Sequence, residues 1–164
     1  MKAIFPGSFD PITLGHLDIV NRGAKLFDCV IIALLNNPAK TPLFSIAERI
    51  TMIKQETEKL PNIQIVEYDG LLAELAKKLT VNCILRGVRN EKDCSYEIAM
   101  AQANKTLNNN LDTIFMVSNP NNSYMSASLL KEIANAGYPN FDDSVLDNWV
   151  SSAVKQMLKN KYSK

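Results

Sequence analysis

Apolar residues fall along this chain in two alternating rhythms. Short, nearly continuous runs recur at "KAIF" (2–5), "CVIIALL" (29–35), "IQIVEY" (63–68), "CILR" (83–86) and "TIFMV" (113–117). They have strand length and are rich in β-branched residues, and several are apolar throughout, as in parallel strands covered on both faces. Between them the apolar positions space out at helical period. In residues 14–27, Leu17, Val20, Ala24 and Phe27 share one face. "SIAERITMIKQETEKL" (45–60) opens on Ser45 and Glu48, the spacing of a capping box, and is closed by Pro61. "LLAELAKKL" (71–79) and "SYEIAMAQANKTL" (95–107) predict two more helices. "SASLLKEIANAG" (126–137) has serine at its start and glycine at its stop. A last helix is predicted over about 143–159.

Strand and helix therefore alternate from end to end. The pattern predicts an α/β fold: a single Rossmann-like domain over 1–164, with a central five-stranded parallel sheet and helices on both faces. The asparagine-rich pieces "LNNNLD" and "NPNNSY" read as loops.

Composition narrows the partners. Eighteen basic and seventeen acidic residues give a formal charge of +1, far from the basic balance of a duplex-binding protein, so nucleic acid is not expected. No run approaches eighteen apolar residues, and "MKAIFPGSF" lacks a signal-peptide core. No membrane partner and a cytoplasmic location are expected. Three widely spaced cysteines, Cys29, Cys83 and Cys94, suit neither a disulfide framework nor a zinc site. With one histidine in the chain, no histidine-rich metal site can form, and no metal-ligating residues are assigned.

Open parallel sheets bind ligands beyond the carboxyl ends of their strands. That rule gathers "PGSFDP", "NNPAKTP", "YDGLL", "RGVRNEKD" and "SNPNNSYMSAS" onto one rim. In the first loop, Pro6 and Pro11 stiffen the chain, while Gly7 and Ser8 permit close approach of a ligand to the backbone. Gly15 and His16 then open a helix whose unpaired amides attract anions. Arg86 and Arg89 follow a buried strand and suit bidentate phosphate binding, and Lys40 adds a further cation. The patterns G-x-x-x-x-G-K-[ST], G-x-G-x-x-G and G-x-S-x-G are all missing, so phosphate must be held by another route. Taken alone, His16 is better explained by a structural role than by a catalytic one.

"GSFDPITLGH" after the first strand and "RGVR" after the fourth resemble the T/H-x-G-H nucleotidyltransferase superfamily. Within it the chain is similar to the phosphopantetheine adenylyltransferase family, through "AIFPGSFDPIT", "LFSIAERI", "ILRGVRN", "YEIAMAQANKTL" and "SLLKEI". Thr13 stands where the wider superfamily often has a first histidine. The resemblance implies transfer of the adenylyl group of ATP, bound with Mg²⁺, to 4′-phosphopantetheine, giving dephospho-coenzyme A and pyrophosphate. It implies His16 as transition-state stabiliser. It implies ATP contacts at Ser8, Phe9, His16, Gly87, Val88, Arg89, Glu97, and the stretch Asn122, Ser123, Tyr124, Met125, Ser126, Ala127 and Ser128. Substrate contacts are implied at Ser8, Lys40, Leu72 and Arg86, and the assembly implied is a homohexamer. Ala127 departs from the family, whose members commonly carry serine there, so phosphate contacts at that turn fall to Ser126, Ser128 and the helix amides. A phosphate monoester is already anionic at pH 7, so direct in-line attack needs no general base and no covalent enzyme intermediate. Competing readings are another adenylyl- or cytidylyltransferase of the superfamily, a class I aminoacyl-tRNA synthetase, for which the chain lacks room and basicity, and a non-catalytic nucleotide sensor.

Overall fold

Each apolar run is a strand in the computed structural model, which describes residues 1–35, 41–122, 126–137 and 142–162. The strands are β1 (Lys2–Gly7), β2 (Cys29–Leu35), β3 (Ile63–Tyr68), β4 (Cys83–Val88) and β5 (Asp112–Val117). They form one parallel sheet in the order β3-β2-β1-β4-β5. The chain winds outward from β1 through β2 to β3, then returns to the other side of β1 to lay down β4. That reversal opens a crevice between the carboxyl ends of β1 and β4. The loop "SFDP" and the arginines of "RGVR" meet there. Arg86, Gly87 and Val88 belong to β4 itself, and only Arg89 follows it.

Six α-helices connect and cover the strands: α1 (Leu14–Leu26), α2 (Ile46–Thr57), α3 (Leu72–Leu79), α4 (Glu91–Leu107), α5 (Ala127–Gly137) and α6 (Ser152–Tyr162). The predicted box at the start of α2 is present: the Glu48 N–H donates to Ser45 Oγ (3.3 Å) and the Ser45 N–H to Glu48 Oε2 (2.7 Å). Helix α4 begins four residues before its predicted start, because Asn90 accepts from the Asp93 N–H (2.9 Å) and caps an extra polar turn. The apolar pattern carries no trace of that turn. The helix expected over about 143–159 is two elements, a 3₁₀ turn (Asp143–Asn148) and α6. The break has a physical cause. The Trp149 N–H closes the 3₁₀ turn on the Leu146 carbonyl (2.8 Å), while its own carbonyl is taken by the Leu14 N–H (2.8 Å). Ser151 then caps a fresh helix by accepting from the Val154 N–H (3.2 Å).

Strand alternation divides the core. Ala3, Phe5, Val30, Ile32, Leu34 and Leu85 face one side, packed with residues of α1, α2, α5 and the C-terminal elements. Ile4, Ile31, Ala33 and Ile84 face the other, packed with Ala73, Leu75 and Ala76 of α3. Helix α4 contributes no apolar residue to that second cluster. Its buried residues are Glu97 and Asn104, and the space beneath it is a cleft.

The crevice depends on how closely α1 lies against β4. A Cβ added at Gly87 would stand 2.9 Å from Cγ1 of Ile19, a buried and branched side chain. Overpacking of this kind typically costs about 1–3 kcal/mol. Gly87→Ala is therefore expected to lower the unfolding free energy by that amount, read as a lower denaturant midpoint at unchanged slope. An unchanged midpoint would mean that Ile19 moves aside freely.

Candidate active site

The cleft has a volume of about 700 Å³ and runs from the β1/β4 crevice along the underside of α4. The predicted residues Ser8, His16, Leu72, Arg86, Gly87, Arg89, Glu97, Ser126, Ala127 and Ser128 all line it. Phe9 and Val88 do not; both are buried behind its wall. Asn122 ends a 3₁₀ turn (Pro120–Asn122). Lys40, Ser123, Tyr124 and Met125 lie outside the described residues.

His16 is held by the start of its own helix. Thr13 is the N-cap of α1, and the helix-opening exchange runs between Thr13 and the residue three positions on. The His16 N–H donates to Thr13 Oγ1 (3.4 Å), and the Thr13 N–H donates back to Nδ1 of the imidazole (3.1 Å). This is a capping box in which histidine replaces the usual Glu or Gln. Because Nδ1 accepts a backbone N–H, the neutral ring carries its proton on Nε2, the nitrogen the cap does not use. Phe9 buttresses the ring edge-on, with centroids 5.1 Å apart, and in turn packs T-shaped on Phe5 (5.5 Å). Phe9 adopts φ 46°, a left-handed conformation unfavourable for a bulky residue and of the kind that clusters at functional sites. Burial, and then the nearby charges of Arg86 and Arg89, lower the His16 pKa to about 4.

The amides at the start of α1 are less open than the sequence suggests. Leu14 donates to Trp149 and His16 to Thr13, which leaves the Gly15 N–H without a partner among the described residues. The start of α5 is more open. Ser126 Oγ accepts from the Leu129 N–H (3.0 Å), and the amides of Ala127 and Ser128 stand at the cleft wall.

Arg86 is locked by Glu97. Its Nε donates to Oε2 (2.7 Å), Nη2 donates to Oε1, and Nη1 donates to the Pro6 carbonyl (2.6 Å). Both oxygens of the buried Glu97 carboxylate thus orient Arg86. Of five guanidinium donors, two are left without a partner among the described residues. Arg89 forms a parallel fork on Asp93, with Nε to Oδ2 at 2.6 Å and Nη2 to Oδ1 at 3.1 Å. Sequence reasoning missed both counter-carboxylate roles. The spacing of Arg89 and Asp93 across a strand end and a helix start was the available signal for one of them. At its far end the cleft is lined by Leu35, Gly70, Leu71 and Leu72, an apolar extension beyond the cationic floor. Among the described residues no helix is long and apolar enough to cross a membrane, and no group of three or more His, Cys, Asp or Glu could hold a metal ion.

Two guanidinium forks, a neutral imidazole donor and open helix amides around the switch point of a parallel sheet define a nucleotidyltransferase-type site. Comparison with known proteins agrees. Residues 4–133 match the family described as Cytidylyltransferase-like. The chain is 48% identical over 162 residues to a phosphopantetheine adenylyltransferase of Caldanaerobacter subterraneus subsp. tengcongensis, covering 99% of this chain and 98% of the relative. It is 42% identical to the enzyme of the same name from Prochlorococcus marinus subsp. pastoris, covering 100% and 99%. Among solved structures, the Plasmodium falciparum nicotinic acid mononucleotide adenylyltransferase complexed with NaAD shares the fold, with a TM-score of 0.72 at 12% identity, covering 99% of this chain and 95% of that one. A putative nicotinate-nucleotide adenylyltransferase from Vibrio parahaemolyticus has a TM-score of 0.64 at 16% identity, covering 96% and 97%. The chain belongs to the cytidylyltransferase-like nucleotidyltransferases and, within them, to the phosphopantetheine adenylyltransferase family.

His16 is the only histidine, so its ring signals in an NMR spectrum need no assignment. They are expected to titrate with a midpoint near 4 and to show the Nε2–H tautomer above it. The unfolded chain takes up this proton near pH 6.5 and the folded chain near pH 4. Between these values the unfolded state holds more protons, so His16 erodes stability as pH falls through that window. A midpoint at or above 6.5 would contradict the desolvated cap.

Proposed function

We propose that this chain transfers the adenylyl group of ATP to 4′-phosphopantetheine, releasing pyrophosphate and dephospho-coenzyme A, within the cytoplasm. The observation that carries the reading is the imidazole whose Nδ1 is spent on the Thr13 N–H and whose Nε2 is left for the cleft, beside Arg86 and Arg89. The attacking phosphate oxygen forms a bond to the α-phosphorus of ATP as the bond to the β-phosphate bridge breaks. No proton has to be removed from the nucleophile. The task is to hold two anions in line and to stabilise charge on the α-phosphoryl oxygens.

In this reading Arg86 receives the acceptor's phosphate with its two remaining donors, and Lys40 acts with it. The pantetheine arm extends along Leu71 and Leu72, past Leu35. ATP lies between Gly87, Arg89 and the start of α5, with its phosphates toward the amides of Ala127 and Ser128. Asn122, Ser123, Tyr124 and Met125 are the further ATP contacts of this reading. Ala127 offers its amide where relatives offer a hydroxyl as well. His16, neutral before substrates arrive, donates from Nε2 to the α-phosphoryl oxygen, and the incoming triphosphate opposes the arginine charges that depress its basicity. Asp93 and Glu97, the carboxylates of the cleft, are each engaged by an arginine, so Mg²⁺ fits here as an ion carried by the triphosphate's oxygens. When bound it balances the charge of the departing pyrophosphate.

We also propose self-association, as a homohexamer. Ile98 and Met100 of α4 and Ile114 and Val117 of the edge strand β5 are large apolar side chains left exposed, beyond what an isolated surface needs. Sedimentation at micromolar concentration should show the assembly; a stable monomer would refute it.

Pyrophosphate release from ATP, assayed across acceptors, is expected with 4′-phosphopantetheine and not with nicotinate mononucleotide. The reverse preference would sink the assignment, and ATP binding without turnover of any acceptor would favour a sensor. His16→Gln separates catalysis from capping, because glutamine at this helix position can keep the bond to the Thr13 N–H. Its melting temperature should stay near that of the wild type. Its kcat should fall on the order of 100- to 1000-fold, about 3–4 kcal/mol, with little change in ATP affinity. A folded variant with wild-type kcat would remove His16 from the mechanism.

A further inference from the structure

Asp10 is 3% exposed and does not line the cleft, yet its carboxylate is the most heavily engaged group in the first loop. It accepts from the Leu43 N–H on Oδ2 (2.9 Å), from the Phe44 N–H on Oδ1 (2.9 Å), and from the Lys131 ammonium on Oδ2 (2.7 Å). These donors come from two separate stretches. Leu43 and Phe44 lead into α2, directly after the segment that holds Lys40. Lys131 lies on α5, one turn past Ser126, Ala127 and Ser128 at the cleft wall. Asp10 itself sits between Ser8 and His16. A single carboxylate therefore joins the loop between Ser8 and His16, the residues that lead into α2, and the helix whose first residues line the cleft.

The surrounding groups reinforce the joint. Arg49 of α2, 5% exposed, donates from Nη1 to the Ser8 carbonyl (2.9 Å), so α2 grips the same loop a second time. Its Nε is buried without a partner. No carboxylate pairs with it among the described residues, so Asp10 is the buried anion of this wall while Arg49 and Lys131 are its cations. Tyr162 of α6 donates to the backbone carbonyl of Lys131 (3.3 Å) and steadies the far side of α5.

We infer that Asp10 and Lys131 are a positioning pair that sets the first loop, with Ser8 and His16, and the start of α5 at the separation needed for in-line attack. Neither residue touches the cleft, so neither contributes to the binding of one substrate alone. Their effect falls on the relative placement of two bound anions. A displacement of about 1 Å between reacting groups can cost on the order of 100-fold in rate. The inference rests on adenylyl transfer taking place in this cleft, and adds which residues hold its two halves together.

Lys131→Met keeps an unbranched side chain of nearly the same reach and leaves Asp10 its two backbone donors, while removing the tie to α5. The measurements are kcat per folded site, dissociation constants for ATP and for 4′-phosphopantetheine each by itself, and melting temperature. The expected result is a fall of about 10- to 100-fold in kcat, with each dissociation constant within about threefold of wild type. Lys131→Arg, which keeps a cation for the carboxylate, should recover most of the rate. A residue that merely stabilises the fold would lower the melting temperature and leave kcat per folded site unchanged. That outcome, or a Lys131→Arg variant as slow as Lys131→Met, overturns the inference. Should Lys131→Met not yield folded protein, Lys131→Gln keeps a donor without the charge and carries the same test. A wild-type chain that fails to release pyrophosphate with phosphopantetheine overturns the functional reading and this one with it. An active wild type with unimpaired variants overturns the positioning role alone.

Discussion

The exchange of hydrogen bonds between Thr13 and His16 sets more of this site than any other contact. It starts α1, and so fixes where the first loop ends. It occupies Nδ1, which places the ring's proton on Nε2. It also holds the ring against Phe9 and within the field of two arginines, where protonation is unfavourable. The structural role of the lone histidine and the chemical role proposed for it are therefore the same arrangement seen from its two ring nitrogens. The cap uses one and leaves the other in a defined protonation state. The strained Phe9 backbone belongs to this arrangement, since it turns the aromatic ring beneath the imidazole.

The second constraint is charge. A site for two polyanions needs cations, but cations brought together without ligands repel one another and the imidazole. Here each arginine of the cleft is met by a carboxylate one or two helical turns into α4 or at its start. Asp93 answers Arg89, and Glu97 answers Arg86. These pairs offset the repulsion in the ligand-free chain and aim the guanidinium planes. Partly buried pairs of this kind contribute little net stability. Orientation is their plain function.

Much of the fold was legible in the sequence, because the short apolar runs and the helical spacing between them have one economical arrangement. The rim was legible too, since the strand ends of a parallel sheet must share an edge. What escaped was set by long-range polar contacts. The pattern could not show that Trp149 would give its carbonyl to Leu14 and thereby divide the last helix. Nor could it show that Glu97 would face Arg86, or that Asp10 would gather donors from two distant stretches. The Thr13–His16 box was hidden for another reason: its spacing is that of a common cap, but its third residue is an unusual one. Cys29 and Cys83 were readable as small buried hydrophobes, and burial does raise the Cys83 thiol's pKa, away from reactivity.

The bond from the Leu14 N–H to the Trp149 carbonyl joins α1 to a turn far downstream in the sequence. A chain emerging from the ribosome can pair β1 with β2 early, since that contact needs only the first thirty-five residues. It cannot finish the entrance of α1 until residue 149 is free to reach back. Contacts of such sequence separation form late, because their loop must close before any stabilisation is gained. A growing chain would thus hold a framed sheet with an incompletely tethered α1. Competence to turn over substrate would come once residue 149 has folded back, rather than by degrees.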